Sequence, residues 1–253
     1  MHIIKLRAEA QLKNRATRKN GEKNKMDINK LRVALDGPSG AGKSTVAKAV
    51  AEKTGLVYVD TGALYRTVGL YAAMHGISKD DTDGIIACLP EIKIELSHGK
   101  HGQEVKLNGE SVGECIRTEK ASAYASAVSK IPKVRAFLLD MQKKIAARGG
   151  VIMDGRDIGT VIIPDAEIKV FMTATPEERA KRRHNEQREK GINVSFDEVL
   201  KNIIARDKQD SERETAPLKP APDAVIFVND GYDVGGSADY IIGLMNDYAA
   251  KST

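Results

Sequence analysis

The chain reads Gly37-Pro38-Ser39-Gly40-Ala41-Gly42-Lys43-Ser44 directly after an apolar run from Leu31 to Leu35. Two glycines five residues apart, followed by Lys and a hydroxyl residue, form the pattern of a phosphate-binding loop. The apolar run predicts a buried strand, and residues 45–52 predict a helix. A strand, a glycine-rich loop and a helix in this order predict an α/β nucleotide-binding fold, whereas the plainer alternative is a turn that binds no ligand.

The predicted loop is suited to hold the phosphates of a nucleotide. Glycines let the backbone aim consecutive N–H groups at phosphate oxygens, and the start of a helix adds a partial positive charge. Lys43 can reach the outer phosphates, and the hydroxyl of Ser44 can bind Mg²⁺. We therefore expect the whole loop, from Gly37 to Ser44, and the following Thr45 to contact a nucleoside triphosphate.

Strand-like and helix-like segments alternate along the rest of the chain. Apolar runs predict further strands at 56–59, 151–153, 168–172 and 224–228. Further helices are predicted near 62–75, 118–130, 132–147, 176–190, 195–210 and 235–249. This alternation is typical of a doubly wound parallel sheet covered by helices, which binds ligands at the carboxyl ends of its strands.

One segment, 91–115, departs from this alternation. Its apolar residues recur at every second position, and turn-prone sequences separate the runs. This pattern predicts a small antiparallel sheet inserted in the α/β body. His98 and His101 lie in its polar hairpin, where we expect solvated side chains rather than a metal site.

Composition limits the class of protein. The chain has 253 residues and a net charge of +5, and its apolar runs are far shorter than the roughly 20 residues that span a bilayer. Cys88 and Cys115 lack paired-cysteine spacing, and no secretory segment precedes them. We therefore expect reduced thiols in a soluble, cytoplasmic protein that has no membrane partner. A monomer is a separate expectation, which these observations do not establish.

The positive charge is concentrated at the N-terminus. Residues 1–25 contain eight Lys or Arg and two Glu, so the remaining chain is slightly negative. We interpret 1–28 as a disordered basic extension, or as an upstream start with Met26 as the true initiator. A more specific functional alternative is that this basic extension contacts RNA or the ribosome.

The arginines separate phosphoryl transfer from other uses of a phosphate loop. Arg66 follows the second predicted strand and Arg156 follows the third, so both can face the same crevice. Further arginines lie on two predicted helices, at Arg179, Arg182, Arg183, Arg206 and Arg213. Surface ion pairing explains any one charged helix, but an enzyme that joins two polyphosphates needs many guanidinium groups to offset their repulsion. The combination favours phosphoryl transfer between nucleotides.

Four linked segments resemble the bacterial cytidylate (CMP) kinases, which belong to the nucleoside-monophosphate kinase group. They are Asp36 to Ser44, Asp60-Thr61-Gly62-Ala63-Leu64-Tyr65-Arg66, Asp154-Gly155-Arg156-Asp157-Ile158-Gly159-Thr160 and Arg206 to Leu218. The resemblance runs from Leu31 to Tyr248, and residues 1–25 have no counterpart in the family core. It implies transfer of the γ-phosphate of Mg²⁺-bound ATP to CMP or dCMP.

The resemblance also implies a division of the kinase domain, 29–253. The core would comprise 29–60, 149–174 and 207–253. The CMP-binding region would be 61–148, because the antiparallel insert is similar to the extra sheet of the bacterial enzymes. A lid would span about 175–206.

Individual roles follow from the same resemblance. Arg66 and Arg156 would bind the CMP phosphate. The base would be read by Ser126, Arg135, Asp157 and Arg213, and the sugar would be approached by Thr61, Arg206 and Asp210, with Tyr65 also at the substrate. Arg179, Arg182 and Arg183 would belong to a lid over the ATP phosphates. The groups acting on the transferred phosphate would be Lys43, Arg156, Arg179 and Arg206.

Two questions stay open at this point. Either Asp36 or Asp154 could support the hydrated Mg²⁺ with Ser44, because both follow strands next to the loop. The acceptor could also be UMP, AMP or shikimate. If the protein is not a kinase, the alternatives are a GTP-binding switch and a nucleic-acid-binding module.

Overall fold

The computed structural model describes residues 27–99 and 102–252, which contain a central parallel sheet and a smaller antiparallel one. The central strands are β1 (Arg32–Asp36), β2 (Val57–Asp60), β6 (Val151–Gly155), β7 (Ile168–Thr173) and β8 (Val225–Val228), and the smaller sheet comprises β3 (Ile94–Gly99), β4 (Gly102–Leu107) and β5 (Glu110–Ser111). The central order is β2-β6-β1-β7-β8, and every neighbouring pair is parallel. The predicted α/β fold is confirmed.

Helices connect these strands. They are α1 (Lys43–Thr54), α2 (Thr61–Met74), α3 (Thr82–Cys88), α4 (Glu119–Val128), α5 (Pro132–Ala146), α6 (Pro176–Glu189), α7 (Phe196–Glu212) and α8 (Val234–Lys251). The sequence predicts all of them except α3, which is only seven residues long and buries only Ile85 and Cys88. None of the helices in the described part of the chain combines the length and hydropathy needed to cross a bilayer.

The central strands β1 and β6 are buried on both faces, as expected for parallel strands, whereas most of the edge strand β8 is exposed. On β1, Val33 and Leu35 pack with α1 and α8. The side chain between them, Ala34, belongs to the cluster on the opposite face, which includes Ala146 of α5 and Ile158. Helices therefore cover both faces in the middle of the sheet, and the carboxyl ends of its strands remain accessible to a ligand.

The antiparallel insert is confirmed, and one of its histidines makes a contact that the sequence does not indicate. The predicted hairpin is β3 paired with β4. His98 is exposed, as predicted, but its Nε2 lies 2.7 Å from the carbonyl oxygen of Tyr58. The hairpin therefore contacts β2 through this side chain; His101 lies outside the described residues.

The predicted lid, about 175–206, contains α6 and the larger part of α7. Ala180, Val199 and Ile203 form a small hydrophobic cluster between them. The predicted boundary at 206 falls inside α7, which continues without interruption to Glu212. The proposed lid and core therefore share one helix.

Candidate active site

A cavity of about 730 Å³ opens at the carboxyl ends of β2 and β6, beside the phosphate loop. It brings together most of the residues that the sequence singles out: Ser39, Gly40, Gly42, Lys43, Ser44, Thr45, Thr61, Tyr65, Arg66, Ser126, Arg135, Asp154, Arg156, Asp157, Arg182, Arg183, Arg206, Asp210 and Arg213. The candidates outside its wall are Asp36, Gly37, Pro38, Ala41 and Arg179.

The phosphate loop passes so close to β7 that only glycine fits at its first position. A Cβ atom on Gly37 would lie 1.9 Å from the carbonyl oxygen of Met172. Gly42, with φ +88°, provides the left-handed turn into α1 and has no side chain to cap it. The first N–H groups of α1 therefore stay available to a ligand.

Lys43 carries a buried positive charge over this loop. Its Nζ donates a hydrogen bond of 2.7 Å to the carbonyl oxygen of Pro38, and the residue is 5% exposed. Burial, and secondly the nearby charge of Arg156, lower the pKa of Lys43 to about 7. An anion beside Nζ would offset both effects, so the site is built for a negatively charged ligand.

Asp154 and Ser44 place two oxygen atoms together at the end of β6. Ser44 Oγ donates to Asp154 Oδ2 at 2.8 Å, and the Tyr58 hydroxyl donates to Asp154 Oδ1 at 2.9 Å. Burial, followed by the charge of Asp60, raises the pKa of Asp154. A hydroxyl and a carboxylate are the hard oxygen ligands that Mg²⁺ prefers, so these residues fit a hydrated magnesium ion.

Asp36, the other candidate for metal support, has its carboxylate engaged elsewhere. Its two oxygens accept hydrogen bonds of 2.8 Å each from the backbone N–H groups of Ile158 and Gly159. These amides begin a wide helical turn, Ile158–Ile162, after β6. Burial raises the pKa of Asp36 to about 6, although the two amides act in the opposite direction. Asp36 therefore fixes the segment that carries Arg156 and Asp157.

Three arginines converge on the side of the cavity that faces the loop. Arg66 Nη2 donates to Asp60 Oδ2 at 2.6 Å, and Arg156 Nε donates to Asp210 Oδ2 at 2.8 Å. Burial, and then the charge of Arg156, lower the pKa of Arg206 to about 10. The Nε atoms of Arg66 and Arg206 are buried and have no hydrogen-bond partner among residues 27–99 and 102–252. These orphaned donors would be satisfied by an anion with several oxygens.

Asp210 balances part of this positive charge. Burial alone would raise its pKa, but the charges of Arg156, Arg206 and Arg213 outweigh burial and hold the pKa of Asp210 below its usual range. It therefore stays ionised and orders the arginines around it.

A second charged cluster lies deeper in the cavity, around Asp157. Arg135 donates to Asp157 Oδ2, and Arg213 Nη2 lies 3.6 Å from Asp157 Oδ1. The guanidinium of Arg135 is also 5.6 Å from the centre of the Tyr65 ring. Arg213 Nη2 is buried and makes no hydrogen bond within the described structure. A flat ligand with both a donor and acceptors would complete this cluster.

The two predicted hydroxyl contacts are partly occupied by protein groups. Thr61 Oγ1 donates to the carbonyl oxygen of Asp154 at 2.8 Å. Ser126 Oγ accepts from Gln209 Nε2 at 2.8 Å, and its carbonyl oxygen accepts from the same group at 3.0 Å. Sequence reasoning missed Gln209 because nothing in its spacing on α7 indicates a contact with α4.

Arg182 and Arg183 of α6 contact different parts of the cavity wall, whereas Arg179 of the same helix does not line it. Arg182 lies within 3.4 Å of the Ala41 carbonyl oxygen and 3.3 Å of Asn229 Oδ1, and Arg183 pairs with Glu119 across the cavity. Asn229 follows β8 and was not predicted, since an isolated Asn after an edge strand carries no pattern.

Arg179 is not brought into the cavity, contrary to expectation. It is 3% exposed, and its guanidinium donates to the carbonyl oxygens of Ser39 and Ala174 and to both carboxylate oxygens of Asp207. Because α6 turns this residue inward, Arg179 links the phosphate loop to the two lid helices in this structure.

Several known proteins with sequences similar to this chain are named cytidylate kinase. The family model described as "Cytidylate kinase" matches residues 33–242. A cytidylate kinase of Carboxydothermus hydrogenoformans is 44% identical over 220 residues, which cover 86% of this chain and 99% of that protein. One from Bacillus pumilus is 48% identical over 196 residues, covering 78% and 87%. A solved shikimate kinase from Bacteroides thetaiotaomicron aligns over 85% of this chain and 98% of its own, at 16% identity and a TM-score of 0.44.

Proposed function

The chain belongs to the cytidylate kinase family, and on this premise we propose that it transfers the γ-phosphate of ATP to CMP or dCMP, giving ADP and CDP or dCDP. The observation that carries the proposal is one cavity whose wall joins Lys43 and the phosphate loop to two arginine clusters. The loop would hold ATP, and the clusters would hold the monophosphate.

Positioning and charge stabilisation account for the transfer. A CMP phosphate is already an anionic nucleophile, so no general base is needed. Lys43 on the ATP side, with Arg156 and Arg206 on the CMP side, would offset the repulsion of two anions held in line. The Nε atom of Arg206, which has no hydrogen-bond partner among the described residues, supports a contact that forms only when phosphate is present.

Asp157 would read the base. Cytosine has a donor at N4 and acceptors at N3 and O2, so Asp157 would accept from N4 while Arg135, Arg213 and Ser126 donate. Uracil places an acceptor where cytosine has N4, and the carboxylate would then face an oxygen. The second charged cluster of the cavity supports this preference for cytosine.

Thr61, Arg206 and Asp210 would lie near the sugar. Asp210 already accepts from Arg156, and Thr61 donates to a backbone carbonyl, so neither depends on a ribose hydroxyl for its hydrogen bond. This supports tolerance of both CMP and dCMP.

Asp154, rather than Asp36, would support Mg²⁺ together with Ser44. The ion would neutralise charge on the ATP phosphates when bound. Asp154 contacts Ser44 at the cavity wall, whereas both oxygens of Asp36 are taken by backbone N–H groups.

Two substitutions separate these aspartates. We expect Asp154→Asn to raise the Mg²⁺ concentration for half-maximal turnover by about tenfold, because it weakens support of the hydrated ion. We expect Asp36→Asn to leave that concentration nearly unchanged but to cost about 1–3 kcal/mol of unfolding free energy, since the new amide cannot accept from both N–H groups. Magnesium titrations and urea unfolding of both variants check this, and the reverse pattern would assign the metal to Asp36.

The lid would close over ATP through Arg182 and Arg183, and Arg179 would brace its base. A complete cavity within one chain supports a monomer. Cys88 and Cys115 are free thiols, which supports a reducing cytoplasm.

A GTP-binding switch receives little support from the described residues. Asn24-Lys25-Met26-Asp27 does match a guanine-reading tetrapeptide, but it precedes the phosphate loop. Asp27 also uses its side chain to accept from the backbone N–H of Asn29, where it caps the short turn Ile28–Lys30.

An acceptor panel tests the proposed function. Purified protein with Mg²⁺-ATP is given CMP, dCMP, UMP, AMP or shikimate, and ADP release is followed in a coupled assay. We expect kcat/KM for CMP and dCMP to exceed that for the others by at least about tenfold. Equal or better turnover of UMP or AMP would contradict the cytidine assignment.

A further inference from the structure

The outer edge of β2 is completed by side chains of the antiparallel insert. β2 is an edge strand of the central sheet, so one side of its backbone has no neighbouring strand in the described structure. On β3 and β4, the cross-strand pairs Ile94–Leu107 and Leu96–Val105 form an apolar face, and the next pair on that face is His98–Gln103. The hairpin therefore ends, on its packed side, in two polar groups at β2.

These two side chains bind the backbone of β2 at alternate positions. His98 Nε2 lies 2.7 Å from the Tyr58 carbonyl oxygen. Gln103 uses both ends of its amide on one residue: its Oε1 accepts from the Asp60 N–H at 2.8 Å, and its Nε2 donates to the Asp60 carbonyl oxygen at 3.3 Å. Gln103 thereby takes the place of a paired strand at the last residue of β2.

Asp60 passes this constraint to the active site. Its Oδ1 accepts from the Ala63 N–H at 3.0 Å and so caps α2, while its Oδ2 accepts from Arg66 Nη2 at 2.6 Å. Arg66 lines the cavity, and its buried Nε has no partner in the described structure. The direction of the Arg66 guanidinium thus depends on Asp60, and Asp60 is fixed from outside by Gln103.

We propose that Gln103 is a positioning residue for the monophosphate substrate: it fixes Asp60, which aims Arg66 at the acceptor phosphate. Gln103 does not itself line the cavity. The inference rests on the proposed function, since it assigns the acceptor phosphate to Arg66. It gives the antiparallel insert a part in substrate binding although its strands stand outside the site.

The first test compares two methionine substitutions on β4. Gln103→Met keeps the length of the side chain but removes both hydrogen bonds, and we expect KM for CMP to rise by about tenfold, with kcat and KM for ATP changed by less than about twofold. The control is Lys106→Met on the same strand, an exposed side chain on the other face, which should leave all three parameters unchanged. Equal effects of Gln103→Met on CMP and ATP, or no effect, would overturn the proposal.

A double-mutant cycle with Arg66 distinguishes positioning from general support of the fold. If Gln103 acts through Arg66, then Gln103→Met made on an Arg66→Met background should change KM for CMP by less than about twofold. The same tenfold rise in both backgrounds would show that Gln103 acts by another route. Should Gln103→Met not fold, Gln103→Asn replaces it, because the shorter amide cannot reach Asp60.

The wild-type protein in the same assay distinguishes failure of the proposed function from failure of the positioning role of Gln103. If wild type does not phosphorylate CMP, the proposed function fails. If wild type is active and the Gln103 variants match it, only the positioning role fails.

Discussion

Lys43→Met should lower kcat by about a thousandfold while the protein stays folded. The side chain is buried, its ammonium reaches over the phosphate loop to Pro38, and its pKa is lowered to about 7 by burial and by Arg156. Such a cation is destabilising without a ligand and is stabilised when ATP phosphates arrive. Removing it therefore costs transition-state stabilisation and should leave the free protein at least as stable as wild type.

Turnover at saturating ATP and CMP, together with urea unfolding, checks this expectation. Lys53→Met is the matched control, because Lys53 lies in the last turn of the same helix and makes an exposed ion pair with Asp239, away from the loop. The control should retain wild-type turnover. A Lys43→Met enzyme with more than about a tenth of wild-type kcat would contradict the assignment of the phosphate loop.

Asp157→Asn should raise KM for CMP by about a hundredfold and change KM for ATP little. The substitution keeps the shape of the side chain but removes the charge that Arg135 and Arg213 share, and it turns one acceptor of the base site into a donor. An amide at this position also favours the O4 atom of uracil over N4 of cytosine. The ratio of kcat/KM for CMP to that for UMP should therefore fall.

Steady-state kinetics with each substrate varied in turn measure this selectivity. Asp140→Asn, an exposed position on the same helix as Arg135, serves as the control and should match wild type. Equal losses toward CMP and ATP would mean that Asp157 supports the fold of the site rather than the reading of the base.

Local sequence was sufficient to predict those elements whose own residues form a recognisable pattern. The loop from Gly37 to Ser44 needs its own glycines to turn, so its position and the strand and helix around it follow from the residues alone. The same holds for the insert, because alternating apolar and polar residues give a hairpin one apolar and one polar face. Helix α3 was missed because a seven-residue helix shows too few periods to be recognised.

Contacts between distant segments could not be predicted in the same way. Asp36 and Asp154 both occupy the ends of adjacent strands, and only the turn after β6 decides that the amides of Ile158 and Gly159 bind Asp36. Helical spacing groups Arg179 with Arg182 and Arg183, but the packing of α6 on α7 directs Arg179 to Asp207. These contacts depend on how elements that are distant in sequence pack against each other, and no local sequence pattern predicts that packing.

One cavity should hold ATP and CMP together, with their phosphates in contact. A calorimetric titration with adenosine joined to cytidine through five phosphates tests this, when its Kd is compared with those of ATP and of CMP. We expect the joined compound to bind at least about a hundredfold more tightly than ATP, and we expect both Lys43→Met and Asp157→Asn to weaken its binding. If the joined compound binds no more tightly than ATP alone, the two substrates do not share one cavity.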